Sequence, residues 1–279
     1  MIKVIGIGDN VVDRYIHTKT MYPGGNALNF TVFAGSLGAE AAYMGNFGTD
    51  AAALHIQKVL KNLGIDTSHC RTYEGENGYA RVSIEGGERV FLPGNGGGIN
   101  KEYPIDFSAE DLDYIRGFDL IHSSCYSYLE GRMKPLLETE VPISFDFSDK
   151  LSDDYLAEMC PMVDFAFLSC SDMGVDEVED RLSFAVRSGC LFAVASRGDK
   201  GALFHNGDYF VSQSAHLVKP VDTMGAGDSF ITAFLIRMLE QKALFSSEEK
   251  MVKSCMDFAA GKAAETCMVS GTFGFGAAY

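Results

Sequence analysis

Short apolar segments alternate with longer amphipathic segments along most of this chain, and this alternation restricts the fold classes open to it. Six apolar runs are predicted as strands, at 4–8, 42–45, 120–123, 143–147, 165–168 and 192–196. Helical patterns are predicted at 26–36, 51–63, 129–139, 175–188, 229–241 and 248–268. Because parallel strands need crossover connections, the sequence predicts an α/β fold: a doubly wound, mostly parallel sheet with helices on both faces.

Residues 79–92 depart from this alternation. Two alternating strands at 79–84 and 88–92 flank Gly86-Gly87, and a glycine pair between such strands is typical of a hairpin turn. Residues 11–17 also alternate and can supply another strand. We expect residues 10–21 and 76–98 to form a small β-sheet lid, inserted in a single domain of residues 1–279, with glycine-rich 94–98 as a hinge.

Composition excludes several functional classes. The 279 residues are 47% hydrophobic, which is enough to bury a core, and the net charge of −15 argues against a nucleic-acid partner. Seven scattered cysteines with no Cys-x-x-Cys pair favour a reducing cytoplasm. The first residues are typical of a strand rather than a signal peptide, and no run approaches the roughly 18 apolar residues of a membrane span. We therefore expect a cytoplasmic protein without a membrane partner.

The segment 220–230, Pro-Val-Asp-Thr-Met-Gly-Ala-Gly-Asp-Ser-Phe, places small residues where an apolar helix begins. Gly225, Ala226 and Gly227 allow backbone N–H groups to approach an anion, and the helix dipole favours the same charge. Asp228 would repel a phosphate, so it is interpreted as a base that deprotonates an acceptor hydroxyl while the amides stabilise the transferred group. The alternative is that Asp228 only caps the helix.

A second glycine turn, Pro23-Gly24-Gly25-Asn26-Ala27-Leu28-Asn29, also leads into a helix. Together the two motifs resemble the signatures of the PfkB (ribokinase-like) family of ATP-dependent sugar and nucleoside kinases. The resemblance covers nearly the whole chain and implies a ribokinase-like fold. The segments 8–13, 24–29, 145–150 and 222–230 are most similar to the fructoselysine 6-kinase branch.

Acceptor-binding residues are expected after the first strand and in the first glycine turn. A carboxylate at Asp9 can accept hydrogen bonds from two sugar hydroxyls, and Asp13 can take another polar group of the acceptor. The alternative for both residues is that they are solvated or cap a loop. The resemblance implies that Gly24, Gly25 and Asn29 hold the sugar. For Asn26 in the same turn, the alternative to a role in the site is that it only caps its helix.

The resemblance also implies how the phosphate donor binds. Ser196, Arg197, Gly198 and Gly201 match the family's nucleotide-binding turn, except that Arg197 replaces the usual Leu, and Thr223 lies in the second glycine motif. The small residues of 257–268 can admit an adenine ring or serve helix packing. The implied cofactors are ATP and Mg²⁺, with a monovalent cation left open. In this family lid strands can pair between subunits, so the resemblance also implies a homodimer through the lid.

Metal-binding residues are less well matched. The family has an Asn-x-x-Glu element where this chain has Ser169-Cys170-Ser171-Asp172, so Asp172 is the candidate for a water-mediated contact with Mg²⁺. Asp146 also ends a strand and can support the phosphate region. The six histidines show no metal-ligand spacing and are interpreted as ordinary.

The resulting prediction is a kinase that transfers the ATP γ-phosphate to a sugar hydroxyl, with the 6-hydroxyl of fructoselysine or a related Amadori compound as the first choice. Fructokinase, ribokinase and nucleoside kinase are the alternatives within the family, and a non-catalytic sugar-binding protein is the alternative from another class. A dinucleotide-binding oxidoreductase fits poorly, because Val11 stands where the third glycine of Gly-x-Gly-x-x-Gly is required.

Overall fold

The structure is a computed structural model that describes residues 1–85, 88–242 and 248–279. In chain order its strands are β1 (Lys3–Ile7), β2 (Val11–Tyr15), β3 (Thr20–Gly24), β4 (Glu40–Met44), β5 (Asn46–Phe47), β6 (Arg71–Thr72), β7 (Gly78–Glu85), β8 (Glu88–Leu92), β9 (Leu120–Ser124), β10 (Ile143–Ser148), β11 (Phe165–Ser169), β12 (Phe192–Ser196), β13 (Ala202–His205), β14 (Phe210–Gln213) and β15 (Ala277–Ala278). Its helices are α1 (Asn26–Ser36), α2 (Ala51–Asn62), α3 (Ile99–Glu102), α4 (Ala109–Ile115), α5 (Met133–Leu137), α6 (Asp153–Met159), α7 (Val175–Ser188), α8 (Ala226–Glu240) and α9 (Glu249–Thr266).

The main sheet has the strand order β14-β13-β12-β11-β10-β9-β1-β4. Strands β12 through β4 in this order are parallel, as predicted, and every predicted strand of the main sheet is present. The antiparallel pair β13 and β14, which extends the sheet at one edge, was not predicted. The α/β prediction is confirmed, and the parallel strands bring their carboxyl ends to one edge, where ligands bind in such sheets.

Side chains alternate between two cores on opposite faces of the main sheet. In β11, Phe165 and Phe167 pack into the core formed with α1, α2, α8 and α9, whereas Ala166 and Leu168 pack into the core formed with α4, α5, α6 and α7. Strands buried on both faces have the near-continuous apolar sequences seen here. The helices therefore lie on both faces of the sheet, as expected.

Two predicted helices have different bounds in the structure. The pattern at 129–139 forms a 3₁₀ turn, Glu130–Arg132, followed by the short α5, because Gly131 favours a break and Pro135 lacks the N–H that a continuing helix needs. Helix α8 begins at Ala226 rather than at 229, because Gly225 takes the left-handed conformation (φ 71°) directly before it. Gly227 and Asp228 therefore lie in the first turn of the helix.

A second sheet has the strand order β15-β3-β2-β7-β8 and contains both segments predicted for the lid. Strand β2 pairs in parallel with β7 and antiparallel with β3. The predicted hairpin turn at Gly86 and Gly87 lies outside the described residues, although β7 and β8 pair antiparallel on either side of it. The edge strand β15 and the small pair β5 and β6 were not predicted.

Two negative findings concern the described ranges alone. No helix there is long and apolar enough to cross a membrane. None of the seven cysteines, all of which lie in those ranges, forms a disulfide bond.

Candidate active site

Two cavities open along the carboxyl edge of the main sheet. The acceptor cavity, as we call the first, has a volume of about 750 Å³ and is lined by residues that follow β1, β9 and β10 and by residues of the second sheet. The donor cavity has a volume of about 530 Å³ and is lined by the turns after β11 and β12, the segment 213–223 and helix α9. Ser169, Ser196, Gly227 and Phe230 line both cavities, so the two volumes meet at the N-terminus of α8.

Asp9, directly after β1, is buried and fixed by the start of helix α1. Its carboxylate accepts the backbone N–H of Asn26 at 2.7 Å and of Ala27 at 3.2 Å, and the hydroxyls of Ser124 and Ser127 at 3.1 Å each. Gly25, the N-cap residue of α1, has no side chain to make these bonds. Asp9 therefore caps α1 from another part of the chain while lining the acceptor cavity.

Asp228 lies where the two cavities meet, and two asparagine side chains of α1 hold it. Its Oδ1 accepts a hydrogen bond from Asn26 Nδ2 at 2.8 Å, and its Oδ2 accepts one from Asn29 Nδ2 at 2.6 Å. Burial raises the pKa of Asp228 to about 6, while these two hydrogen bonds oppose the shift and the nearby Asp9 adds to it. Asp228 does not cap α8, because the N-cap residue is Gly225 and no side chain makes a cap hydrogen bond there, whereas both oxygens of Asp228 accept hydrogen bonds from α1.

Asn26 does not cap its helix either. Its Nδ2 also donates to Asp146 Oδ2 at 2.8 Å, so one amide group bridges Asp146 and Asp228. Burial and the charge of Asp228 together raise the pKa of Asp146 to about 7, against the opposing effect of hydrogen bonds from Ser148 and Asn26. Two carboxylates with raised pKa values in one cavity are typical of catalytic sites.

The third polar atom of Asn26, its Oδ1, faces a buried histidine. His122 Nε2 lies 2.9 Å from Asn26 Oδ1, and His122 Nδ1 lies 3.0 Å from Ser144 Oγ. The imidazole also stacks on Phe30, with ring centroids 4.4 Å apart. Burial lowers the pKa of His122 to about 3, so the ring is neutral.

The N-terminus of α8 has the geometry expected of an anion-binding turn. Gly225 takes φ 71°, and a Cβ at this position would lie 2.1 Å from Thr272 Cγ2. A Cβ at Gly227 would meet nothing within 4 Å. The N–H of Ala226 donates to Thr223 O at 3.3 Å, and a helix leaves the next N–H groups without acceptors of its own. Of the residues that carry these groups, Gly227 lines both cavities and Asp228 lines the acceptor cavity.

A hydrogen bond connects the second sheet to this turn. Tyr15 in β2 donates its hydroxyl to Asp222 Oδ2 at 2.6 Å, and Asp222 also accepts the backbone N–H of Met224 at 3.0 Å and of Gly271 at 2.9 Å. The position of the anion-binding turn is therefore coupled to the strand that the sequence predicts as part of a lid.

The acceptor cavity is strongly acidic. The described residues that line it include five aspartates and no Lys, Arg or His; the aspartates are Asp9, Asp13, Asp146, Asp149 and Asp228. Aromatic side chains, among them Tyr126 and Tyr128, line the same cavity. Tyr128 and Ser148 have left-handed backbones (φ 56° and 52°), a strained conformation for non-glycine residues that is common in functional sites.

The cavities bring together most of the predicted site residues. Asp9, Asp13, Gly25, Asn29, Gly225 and Asp228 line the acceptor cavity, Gly198, Gly201, Thr223 and Ala226 line the donor cavity, and Ser196 and Gly227 line both. Gly24, Arg197 and Asp172 are not among the described residues lining either cavity. Gly24 has another constraint, because a Cβ there would lie 2.6 Å from Asp13 Oδ2.

Metal-binding groups are sparse. Among the described residues there is no group of three or more His, Cys, Asp or Glu side chains that could hold a metal ion. Mg²⁺ usually needs only one or two carboxylates together with waters and substrate phosphates, so an acidic site beside a phosphate-binding turn has suitable donors. The role of Asp172, which is exposed, stays a prediction.

Sequence reasoning missed the groups that hold Asp228. His122 was classed with the ordinary histidines, and Asn26 was considered only as a cap. The polar run His122-Ser123-Ser124 at the carboxyl end of a buried strand is the signal that could have identified this position, since buried strands rarely carry polar residues that have no partner.

Comparisons with known sequences agree with this geometry. The profile of the family described as pfkB family carbohydrate kinase matches residues 1–274. Fructosamine kinase FrlD of Bacillus subtilis is 41% identical over 279 residues, covering 99% of this chain and 95% of that protein. Fructoselysine 6-kinase of Escherichia coli is 30% identical over 231 residues, covering 82% and 86%.

Solved structures share the fold at much lower identity. A ribokinase from Giardia lamblia has a TM-score of 0.83 at 16% identity, covering 98% of this chain and 95% of that one. A ribokinase from Arabidopsis thaliana, complexed with ribose and ATP, has a TM-score of 0.79 at 20% identity, covering 97% and 94%. The ribokinase-like fold that the sequence motifs implied is therefore confirmed.

Proposed function

Since the chain belongs to the pfkB family of carbohydrate kinases and is a sugar phosphotransferase, we propose that it transfers the γ-phosphate of ATP to the 6-hydroxyl of a fructosamine such as fructoselysine. The two relatives named above act, by their names, on fructosamine and fructoselysine. The proposal concerns the acceptor and the residues that handle it.

The charge of the acceptor cavity is the observation that carries this proposal. Five aspartates and no basic side chain among the described lining residues favour a cationic acceptor and disfavour a phosphorylated sugar. A fructosamine carries a ketose and a protonated amine in one molecule. Tyr128 adds an aromatic ring, and such rings attract alkylammonium groups; the ring of Tyr126 already has the Nζ of Lys150 4.8 Å from its centroid.

Asp228 is the proposed general base. It takes the proton of the acceptor hydroxyl, the hydroxyl oxygen forms a bond to the γ-phosphorus, and the bond to the bridging oxygen breaks to release ADP. Its carboxylate must be ionised to act, and the hydrogen bonds from Asn26 and Asn29 favour that form. Asn29 Oδ1 is a buried acceptor with no partner among the described residues, so it is available to a sugar hydroxyl.

Acceptor and donor meet at the N-terminus of α8. The N–H groups of Gly227 and Asp228 would stabilise the charge that develops on the transferred phosphoryl group. The rest of the ATP fits the donor cavity, where glycine turns allow close backbone approach and Ala260, Ala263 and Ala264 of α9 leave room for a base. Mg²⁺ would accompany the phosphates and neutralise part of their charge.

We also propose that the protein is a homodimer and that it works in a reducing cytoplasm. The edge strand β8 of the second sheet is available for pairing with a second copy, which supports a homodimer through the lid. Seven cysteines without a disulfide in the described ranges support a reducing cytoplasm.

An ADP-release assay across a panel of acceptors tests the function. We expect kcat/KM to be highest for fructoselysine, at least about ten-fold lower for fructose, which has the ketose without the amine, and lowest for the dianionic tagatose 6-phosphate, because each charge difference acts in an acidic cavity. Ribose and nucleosides complete the panel. We expect ³¹P–¹H correlation NMR to locate the phosphate on O6 of the product of the fructoselysine reaction.

A higher kcat/KM for fructose, ribose or a nucleoside would contradict the fructosamine assignment and leave the family's phosphotransferase activity intact. Measuring the panel at low and high ionic strength separates charge from shape, since only the preference for a cation should weaken with salt.

A further inference from the structure

The hydrogen-bond partners of Asn26 determine which atom of each pair among Asn26, His122 and Ser144 carries the shared hydrogen. Its two N–H groups are divided between Asp146 and Asp228, so its Oδ1 must be the atom that faces His122. A carbonyl oxygen only accepts, and therefore His122 Nε2 carries a hydrogen and donates it. Since a neutral imidazole has one N–H, His122 Nδ1 is an acceptor and Ser144 Oγ donates to it.

The result is a chain of donors that runs in one direction, from Ser144 through His122 and Asn26 to Asp228. The three donor–acceptor distances are 3.0, 2.9 and 2.8 Å. The first two residues lie opposite each other on adjacent parallel strands, with Ser144 of β10 in register with His122 of β9. Both are fully buried, so no water competes for their hydrogen bonds.

We propose that Ser144 and His122 are positioning residues for phosphoryl transfer: they hold the amide of Asn26 so that it orients Asp228 toward the acceptor hydroxyl. This inference rests on the proposed role of Asp228 as the base. It goes beyond that role because neither Ser144 nor His122 lines a cavity formed by the described residues, so each acts through Asn26 alone.

The support from His122 is needed because Asn26 is shared. Asp146 and Asp228 draw on the same nitrogen, and an amide held only by them can shift toward either carboxylate. The hydrogen bond from His122 fixes the opposite end of the amide, and the hydrogen bond from Ser144 orients the imidazole, whose face packs against Phe30. A small displacement of a base costs rate without changing how tightly the nucleotide binds.

The test compares His122→Phe, which keeps an aromatic ring but removes the donor, with His122→Gln, which keeps an N–H donor. We expect His122→Phe to lower kcat about ten-fold or more with KM for ATP unchanged, and His122→Gln to recover part of the loss. When kcat/KM is plotted against pH, the acidic limb should also move to a pH about half a unit higher in His122→Phe. The reason is that a weakened hydrogen bond from Asn26 to Asp228 favours the ionised carboxylate less. The ionisable groups facing Asp228 are Asp9 after β1 and Asp146 in β10, and both remain in these variants.

Two further variants separate positioning from packing. Phe30→Leu removes the stacking ring but keeps every donor of the chain, so it should lower stability and leave the acidic limb in place. Ser144→Ala removes the donor to Nδ1 with little change in volume, and it should shift the limb in the same direction as His122→Phe. It carries the test if His122→Phe does not fold.

A wild-type kcat and acidic limb in His122→Phe, or in Ser144→Ala if His122→Phe is unfolded, would overturn the positioning proposal while Asp228→Asn stayed inactive. An equal limb shift in Phe30→Leu would overturn it as well, because packing would then explain the effect. Full activity in Asp228→Asn would instead refute the proposed base.

Discussion

The acceptor and donor cavities meet at one helix end, but they are built differently. The acceptor cavity is lined by polar side chains, among them five aspartates and three asparagines, and hydrogen bonds such as Asn26–Asp228 and Asn26–Asp146 link some of them. The donor cavity is lined mainly by glycines, alanines and serines, with Asp199, His216 and Cys267 as the ionisable members among its described lining residues. The acceptor cavity therefore offers charged side chains to a ligand, whereas the donor cavity offers mainly backbone groups.

This difference supports the proposed placement of the two ligands. Backbone N–H groups at glycine turns suit a triphosphate, because any residue small enough to allow close approach provides the same donor. Side-chain carboxylates suit an acceptor whose charge and hydroxyl pattern must be distinguished. Substitutions in the acceptor cavity should therefore change chemistry and selectivity, whereas substitutions at the glycine turns should act through space and backbone conformation.

The largest effect is expected where the two cavities meet. Asp228→Asn keeps the size of the side chain but cannot accept the hydroxyl proton, so we expect kcat to fall by about 10² to 10⁴. Nucleotide affinity, measured by calorimetry, should stay within about two-fold, since the donor cavity keeps its turns.

Asp180→Asn is the matched control for this variant, because Asp180 is an exposed aspartate on α7, at a distance from both cavities. Its kcat should equal that of the wild type. A normal kcat in Asp228→Asn would remove Asp228 as the base and with it the contrast between the two cavities.

A pair of glycine variants tests the backbone side of the comparison. Gly227→Val places its methyl groups in open space where the cavities meet, so it should fold normally and lose about 100-fold in kcat/KM by blocking the phosphate. Gly225→Ala should instead cost about 1–2 kcal/mol of unfolding free energy, because it combines a left-handed backbone with the contact to Thr272.

Urea unfolding and steady-state kinetics on both glycine variants give the answer. The result that would break the comparison is a Gly227→Val protein with wild-type kcat/KM, which would mean that the phosphate does not approach this turn. Equal loss of stability in both variants would mean that strain, and not access, dominates at both positions.

The smallest effect concerns acceptor charge. Asp13 lies in β2, in the second sheet, and lines the acceptor cavity. If it faces the amine of fructoselysine, Asp13→Asn should lower kcat/KM for fructoselysine about five-fold more than for fructose, which corresponds to an electrostatic contribution of about 1 kcal/mol.

Asp149→Asn is the companion variant, since Asp149 is an exposed aspartate of the same cavity. A selective loss in Asp149→Asn but not in Asp13→Asn would place the amine near Asp149 instead. Equal losses of kcat/KM for fructoselysine and fructose in Asp13→Asn would mean that Asp13 does not determine selectivity and that its role is to bind the sugar.

The parts of the fold that follow from local patterns were predictable. Apolar runs such as 165–168 and the glycine turn before α1 specify buried strands and a helix start without tertiary information. The pairs β13–β14 and β3–β15 were missed because short edge strands have weak patterns and β15 pairs with a strand more than 250 residues earlier in the chain. The early start of α8 depends on the left-handed conformation of Gly225, which a helical pattern alone does not reveal.

The candidate site was predictable where a motif contains the residue. Asp9, Asn29 and Asp228 lie in motifs, and the structure brings all three to one cavity. The bridging role of Asn26 and the supporting roles of His122 and Ser144 depend on strand register and on how α1 crosses β9 and β10. Nothing in the local sequence determines those relationships, so polar residues at a strand end were the strongest signal available.

The bond between Asn26 and Asp228 joins positions 202 residues apart in the chain. Contacts of such long range form late in folding, because the intervening chain must be ordered before they bring any gain. Catalytic activity should therefore return only in the last phase of refolding, after helical circular dichroism has recovered. On the ribosome, Asp228 cannot reach Asn26 and Asn29 until α8 has emerged, so we expect a partly synthesised chain not to consume ATP at the proposed site.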